Sequence, residues 1–300
     1  MMQNERLPVD AFAVSLMVLL CMIWGFNQIT IKYAAEGISL VMQGALRSGL
    51  AAALLMVYAR VRGIALFARD GTLAAGLLAG SLFAAEFGFI YAGLKFTTAS
   101  RMIVFIYLAP CFTAIGLAWL IPGERMRPLQ WLGVVLAFLG ILAAFGDGFF
   151  AHGKAGAAMA AGDACGIVAA LLWGATTVAI RAGKLSNAAP AKTLFYQLAI
   201  AALVLPFISA LLGEAGVTAL TPKVVLSLAF QGVVVAFVSY LAWFWLLTKY
   251  LASRLAVFSF MTPLFGVAFG MLFLADPVTP AFIGAAVLVG AGIALVNLRA

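Results

Sequence analysis

The sequence predicts an all-α membrane protein: ten transmembrane helices arranged as two inverted-topology five-helix repeats. Three observations carry this. Of the 300 residues 66% are hydrophobic and 9% charged, where a soluble domain carries roughly 25% charge. Apolar stretches of about 20 residues, enough to cross a bilayer as a helix, follow one another along the chain. The chain is also written twice. Trp24-Gly25 and Lys32 return 149 positions later as Trp173-Gly174 and Arg181, and Ala99-Ser100-Arg101 with Pro110 returns 153 positions later as Ala252-Ser253-Arg254 with Pro263. The apolar pattern never alternates strictly over about ten residues, which excludes a membrane barrel.

Turn and polar chemistry punctuates the helices in order. The first, 11–34, ends at Glu36-Gly37, and the second, 40–59, ends where Arg60 opens a polar stretch to Gly71. The third, 72–94, and the fourth, 97–120, are parted by a few polar residues around Lys95. Pro122-Gly123-Glu124 separates the fourth from the fifth, 127–146. A Gly/Ala-rich segment, 147–159, with Asp147, His152 and Lys154, reads as a periplasmic linker between repeats 11–146 and 160–297. The second repeat runs 160–182, 190–211, 222–246, 252–274 and 279–297, with breaks at Ser186 to Pro190, at 247–252 and at Asp276-Pro277. Residues 1–10 and 298–300 are the expected cytoplasmic termini. With the N-terminus inside, 12 of the 18 Lys and Arg fall on the cytoplasmic side, as the positive-inside rule requires. Five helices per copy is odd, so the second copy enters the membrane from the opposite side, an arrangement that puts a site near the midplane between the copies. Glycines at helical spacing, such as Gly76 with Gly80 and Gly162 with Gly166, read as close helix packing.

Several function classes drop out. The net charge of +8 is dispersed, with no basic run, so no nucleic-acid partner is expected. Cys21, Cys111 and Cys165 lie in apolar segments and read as small buried residues. One histidine and one deep carboxylate give no metal set and no catalytic constellation, and no phosphate-binding Gly-Lys-Ser/Thr loop is present. The chain is therefore not expected to be an enzyme, and no metal or cofactor is expected. The expected partners are a small-molecule substrate and membrane lipid, and the chain is expected to act as a monomer.

The candidate site follows from depth, at about 1.5 Å of rise per residue. Trp24 and Trp173 come within roughly 3 Å of the membrane centre, although tryptophan usually prefers the headgroup belt. Asn27 and Gln28 lie one turn beyond Trp24, and Thr176 takes the matching place after Trp173. Arg47 and Glu86 both come out roughly 4 Å outward of the centre, a depth that permits an ion pair. Charges there cost several kcal/mol unless paired or wet and mark function by default. In the second copy Arg47 aligns with Tyr196, Ser48 with Gln197 and Glu86 with Ser239, giving a chamber charged on one side and neutral and aromatic on the other. Tyr107 and Tyr240 complete its aromatic set. Pro110 and Pro263, each inside a span, take a donor from the helix ladder and clash four residues back, at the carbonyls of Ile106 and Ser259. They are candidate hinges.

The Trp-Gly of helices 1 and 6, the stretch from Tyr91 to Ser100, and Pro110 followed by Gly123-Glu124, Pro128, Gly133 and Gly140 resemble the two-domain EamA-type family of the drug/metabolite transporter superfamily. The resemblance covers 11–297, once per half; the second copy is looser, with Ala275-Asp276-Pro277 in place of Gly-Glu. Within the family the chain is most similar to the bacterial aromatic amino-acid exporters. The resemblance implies an inner-membrane carrier with cytoplasmic termini that exports amino acids and related metabolites through a pathway lined by helices 1, 3, 4, 6, 8 and 9. Relatives that move cationic drugs keep organic cations open as substrates.

Overall fold

A computed structural model of the chain describes residues 6–97, 99–145, 157–274 and 280–298. The long regular elements among these residues are helices: α1 Ala11–Ala34, α2 Leu40–Val61, α3 Leu73–Gly93, α4 Ala99–Ile106, α5 Ala109–Leu120, α6 Pro128–Phe145 and α7 Ala157–Ala182. Then come α8 Pro190–Leu211, α9 Pro222–Ala229, a π-helical stretch Phe230–Ser239, α10 Tyr240–Lys249, α11 Ala252–Phe258, α12 Met261–Leu274 and α13 Pro280–Asn297. Among the described residues nine segments are long and apolar enough to cross a membrane, counting α4–α5, α9–α10 and α11–α12 as one crossing each. The shorter apolar α13 makes the tenth, packed along α6 so closely that a Cβ at Gly133 would stand 2.6 Å from the Gly292 carbonyl oxygen.

The predicted boundaries hold to within a few residues, with three differences. The fourth and ninth helices are each split, at Tyr107-Leu108 and at Ser259-Phe260. The cause is the one anticipated: Pro110 and Pro263 cannot donate to Ile106 and Ser259, and the backbone tightens to i→i−3 bonds, Leu108 to Phe105 at 3.1 Å and Phe260 to Val257 at 3.2 Å. The eighth crossing continues to Lys249 and winds as a π-helix through its middle. Helix α7 begins at Ala157, so the end of the expected linker is already helical. The rest of that linker, with Asp147, His152 and Lys154, lies outside the described residues, as does Asp276-Pro277.

The two copies run in opposite directions. Arg6, before α1, donates to the Ser186 carbonyl, just after α7, at 2.8 Å. At the far end of α1 the Gly37 carbonyl accepts from Thr218 and Ala219, just before α9. The face bearing the N-terminus therefore receives the start of α1 and the end of α7. It is closed by contacts between copies. Leu7 and Leu251 pair by backbone, Tyr250 donates to Asp10 at 2.9 Å, and Lys192 meets Asp70 at 2.7 Å. Glu124, between α5 and α6, is wholly buried; it accepts from Arg181 Nε, from the Ala252 and Ser253 amides and from the Ser253 hydroxyl. It thus caps the start of α11 from the other copy, a carboxylate at the positive end of a helix. The far face carries its own ties: Glu214 caps α2 through Ser39 Oγ and the Val41 amide, and Asp163 holds Arg101 and Thr97.

Candidate functional site

A cavity of about 360 Å³ lies between the copies. At the far face it is lined by Ile31, Leu40 and Leu94, all half-exposed, and by exposed Ala99. Toward the N-terminal face it ends at Ile180, Phe244 and Ala256, which are 5%, 7% and 7% exposed. The cavity thus opens to the far face and is sealed toward the face that Glu124 and Asp10 tie shut.

Of the residues singled out in the sequence, Trp24, Asn27, Gln28, Arg47, Glu86, Tyr107, Pro110, Trp173, Thr176, Gln197 and Tyr240 line the cavity. Tyr196 does not: its ring packs on α3, where a Cβ at Gly76 would fall 2.3 Å from it, and its hydroxyl meets Thr72 Oγ1 at 3.3 Å. The glycine leaves a groove that only this ring fills, so the match to Arg47 in sequence is not a match in direction. Pro263 is buried without lining the cavity; its neighbour Thr262 does.

The wall repeats with the sequence. Trp24, Asn27, Gln28 and Ile31 line it in α1, and their counterparts 149 positions on, Trp173, Thr176, Thr177 and Ile180, line it in α7. Phe87, Ile90 and Tyr91 of α3 have their counterparts 153 positions on in Tyr240, Trp243 and Phe244 of α10, all lining too.

The expected ion pair is absent. Glu86 is 7% exposed and Arg47 4%, and no salt bridge joins them. The Arg47 guanidinium lies 4.8 Å over the Phe87 ring and beside the Tyr240 hydroxyl. Equal depth fixed only height along the membrane normal, and the Phe87 face captures the cation first. Glu86 accepts no hydrogen bond from the described residues and faces the cavity. Trp24 Nε1 donates to Ser239 Oγ at 2.8 Å, and its ring meets Tyr240 and Trp243 edge-on at 6.3 and 6.1 Å. Trp173 packs edge-on against Tyr107 at 6.0 Å. Thr262 Oγ1 is buried without a hydrogen bond, with the Tyr107 hydroxyl and Cys21 thiol as its polar neighbours. Thr176 and Gln197 return hydrogen bonds to their own helices, at the Leu172 and Thr193 carbonyls. Among the described residues no cluster of three His, Cys, Asp or Glu side chains would hold a metal ion.

The profile of the EamA-like transporter family matches residues 11–146 and 160–298. The chain belongs to this family. This EamA-like transporter is 23% identical over 273 residues to the uncharacterized transporter YoaV of Bacillus subtilis (strain 168), covering 91% of the chain and 92% of that protein. It is 25% identical over 288 residues to a protein of Escherichia coli (strain K12) named "Probable amino-acid metabolite efflux pump", covering 93% and 92%. A crystal structure 17% identical to it superposes with a TM-score of 0.82 over 96% of each chain, a likeness of fold. The chain is thus a multi-pass membrane protein of a family of transporters, not enzymes.

Sequence reasoning missed much of the EamA-like transporter's wall: Phe87, Tyr91, Thr177, Trp243, Phe244, Ser259 and Thr262. A signal for six of them was present. Thr177 is the repeat counterpart of Gln28, Phe87 of Tyr240 and Tyr91 of Phe244, while Trp243 and Ser259 answer Ile90 and Ile106. Extending the register from the motifs to whole helix faces would have found these. Thr262 has no such lining partner and becomes visible only where the ninth helix breaks.

Proposed function

We propose that this transporter exports amino acids, aromatic ones among them, across the bacterial inner membrane by alternating access through the cavity between its repeats. The observation that carries the reading is the cavity's charge: a carboxyl and a guanidinium, each more than nine-tenths buried, face one chamber with no salt bridge between them. A free amino acid carries the complementary pair, its ammonium for Glu86 and its carboxylate for Arg47, and gives each group a direct partner in a low-dielectric wall. Trp24, Tyr107, Trp173 and Tyr240 offer ring edges and faces to an apolar or aromatic side chain, and Asn27, Gln28, Thr176 and Gln197 add polar contacts. The name of the Escherichia coli relative supports the same class.

In this reading the termini are cytoplasmic, the mouth faces the periplasm, and the repeats 11–146 and 160–297 are joined by a periplasmic linker, 147–159. The breaks before Pro110 and Pro263 act as hinges, and the chain works as a monomer. A second reading, export of organic cations, is favoured by one observation: Glu86 stands among aromatic rings, the setting that holds a quaternary ammonium by cation–π contact. Counterflow in proteoliposomes separates the two. Labelled phenylalanine exchanging against an unlabelled internal pool, and not against tetraphenylphosphonium, is the expected result. Exchange of the cation alone would replace the first reading by the second.

A further inference from the structure

The two tryptophans are repeat counterparts, yet they are not in equivalent places. Trp24 reaches into the other copy. Its indole N–H donates to Ser239 Oγ at 2.8 Å, and its ring sits edge-on to Tyr240 and Trp243. Counting by repeat register, the counterpart of Ser239 is Glu86, and the counterparts of Tyr240 and Trp243 are Phe87 and Ile90. The equivalent contact for Trp173 would therefore be Glu86, flanked by Phe87 and Ile90. That contact is not made. Trp173 Nε1 has no hydrogen-bond partner among the described residues, its ring turns to Tyr107, and Glu86 is left 7% exposed without a donor. Both groups line the one cavity. An acceptor and a donor that match by register, lie in one chamber and are both unused are what an asymmetric snapshot of a two-fold device leaves behind.

When the two members of an inverted repeat exchange conformations, the carrier turns from one face to the other. We infer that in the opposite-facing state Trp173 donates its indole N–H to the Glu86 carboxylate, and that this bond replaces the Trp24–Ser239 bond holding the present state. The inference rests on the alternating-access reading above but not on any particular substrate. Glu86 then has a second task besides facing a ligand: it is the latch of the state not seen here. The two latches differ in kind. Ser239 is a neutral acceptor whose own hydroxyl donates to the Val235 carbonyl at 2.6 Å. Glu86 offers a carboxyl with no donor engaged among the described residues, so the two states are held by different acceptors on the same register.

The test reads accessibility, not transport. In a chain with Cys21, Cys111 and Cys165 replaced by alanine, one reporter cysteine is placed at Ile180, at the sealed end, or at Ile31, at the mouth. An impermeant maleimide is then applied from each side in turn. Trp24→Phe should raise labelling at residue 180 from the N-terminal face and lower it at residue 31 from the far face, the ratio of the two shifting by about fivefold, the worth of roughly one hydrogen bond. Ser239→Ala should do the same, a second route should Trp24→Phe fail to insert. Trp173→Phe should move both reporters the other way. In a Glu86→Gln background, which keeps an acceptor, the Trp173→Phe effect should persist; in Glu86→Ala it should vanish. Both tryptophan changes moving the labels in one direction, or a Trp173→Phe effect undiminished in Glu86→Ala, overturns the inference. Labelling needs no substrate, so it decides this point even if phenylalanine counterflow fails; labelling indifferent to Trp173 while counterflow persists sinks this inference alone.

Discussion

Glu86 sits between Ala85 and Phe87 in a helix otherwise made of small and apolar residues. Its neighbours in sequence offer nothing to share its charge, which is why it was legible as special without a structure. What was not legible was its direction. Depth along a helix follows from counting residues, but the rotation of one helix against its neighbour does not, and that rotation sends Arg47 to the Phe87 face instead of the carboxylate. The same gap explains Tyr196, whose ring is taken by the Gly76 groove of α3. Glu86→Gln keeps shape and removes charge. Counterflow of phenylalanine should fall at least about tenfold, the worth of one charge-assisted contact, while the melting temperature changes little because no pairing is lost. Unchanged exchange across the neutral pH range would reduce Glu86 to scaffolding.

At the scale of elements, proline spoke plainly and the π-helix did not. Pro110 and Pro263 located both breaks to within three residues, because a missing amide hydrogen and a ring clash act at a fixed distance along the chain. The stretch Phe230–Ser239 carries no comparable mark: a π-helix closes its hydrogen bonds one residue further along the chain than an α-helix and needs no special side chain. It nevertheless sets the angle at which Ser239 and Tyr240 reach Trp24. Replacing Pro110 with alanine restores a donor to the Ile106 carbonyl and lets α4 run on into α5. If the break works as a hinge, exchange slows several-fold while thermal stability holds or rises, by up to about 3 kcal/mol, read by counterflow and by melting in detergent. Normal exchange in this variant would leave the break a feature of packing alone.

For the molecule as a whole, the repeat read from two short motifs foretold antiparallel copies with a chamber between them. The seal at the N-terminal face could not be foreseen, since Glu124, Arg181 and Ser253 come from three distant loops and helix ends and look like ordinary solvated polar residues in the sequence. Two carboxylates on that face also set its tolerance of acid. Lys192 and Thr72 hold Asp70 well below the usual carboxylate range, and the Ala13 amide, with Tyr250, lowers Asp10. A depressed native pKa contributes stability that is whole above the unfolded value, near pH 4, and is lost as pH falls through the native one. Melting temperature should therefore stay level from about pH 5 to 8 as far as these groups act, and decline below about pH 4; Asp70→Asn should flatten that acid limb. Another close junction of the copies lies elsewhere, where α6 and α13 meet glycine to carbonyl, away from the chamber. If access alternates as proposed, such a spine would serve as a fulcrum: two arms joined along one line would move like a seesaw, lifting one gate while pressing the other shut, with no continuous water thread between the compartments. A disulfide between α6 and α13 should then leave exchange intact, and vesicles holding the carrier should keep a proton gradient as long as empty ones.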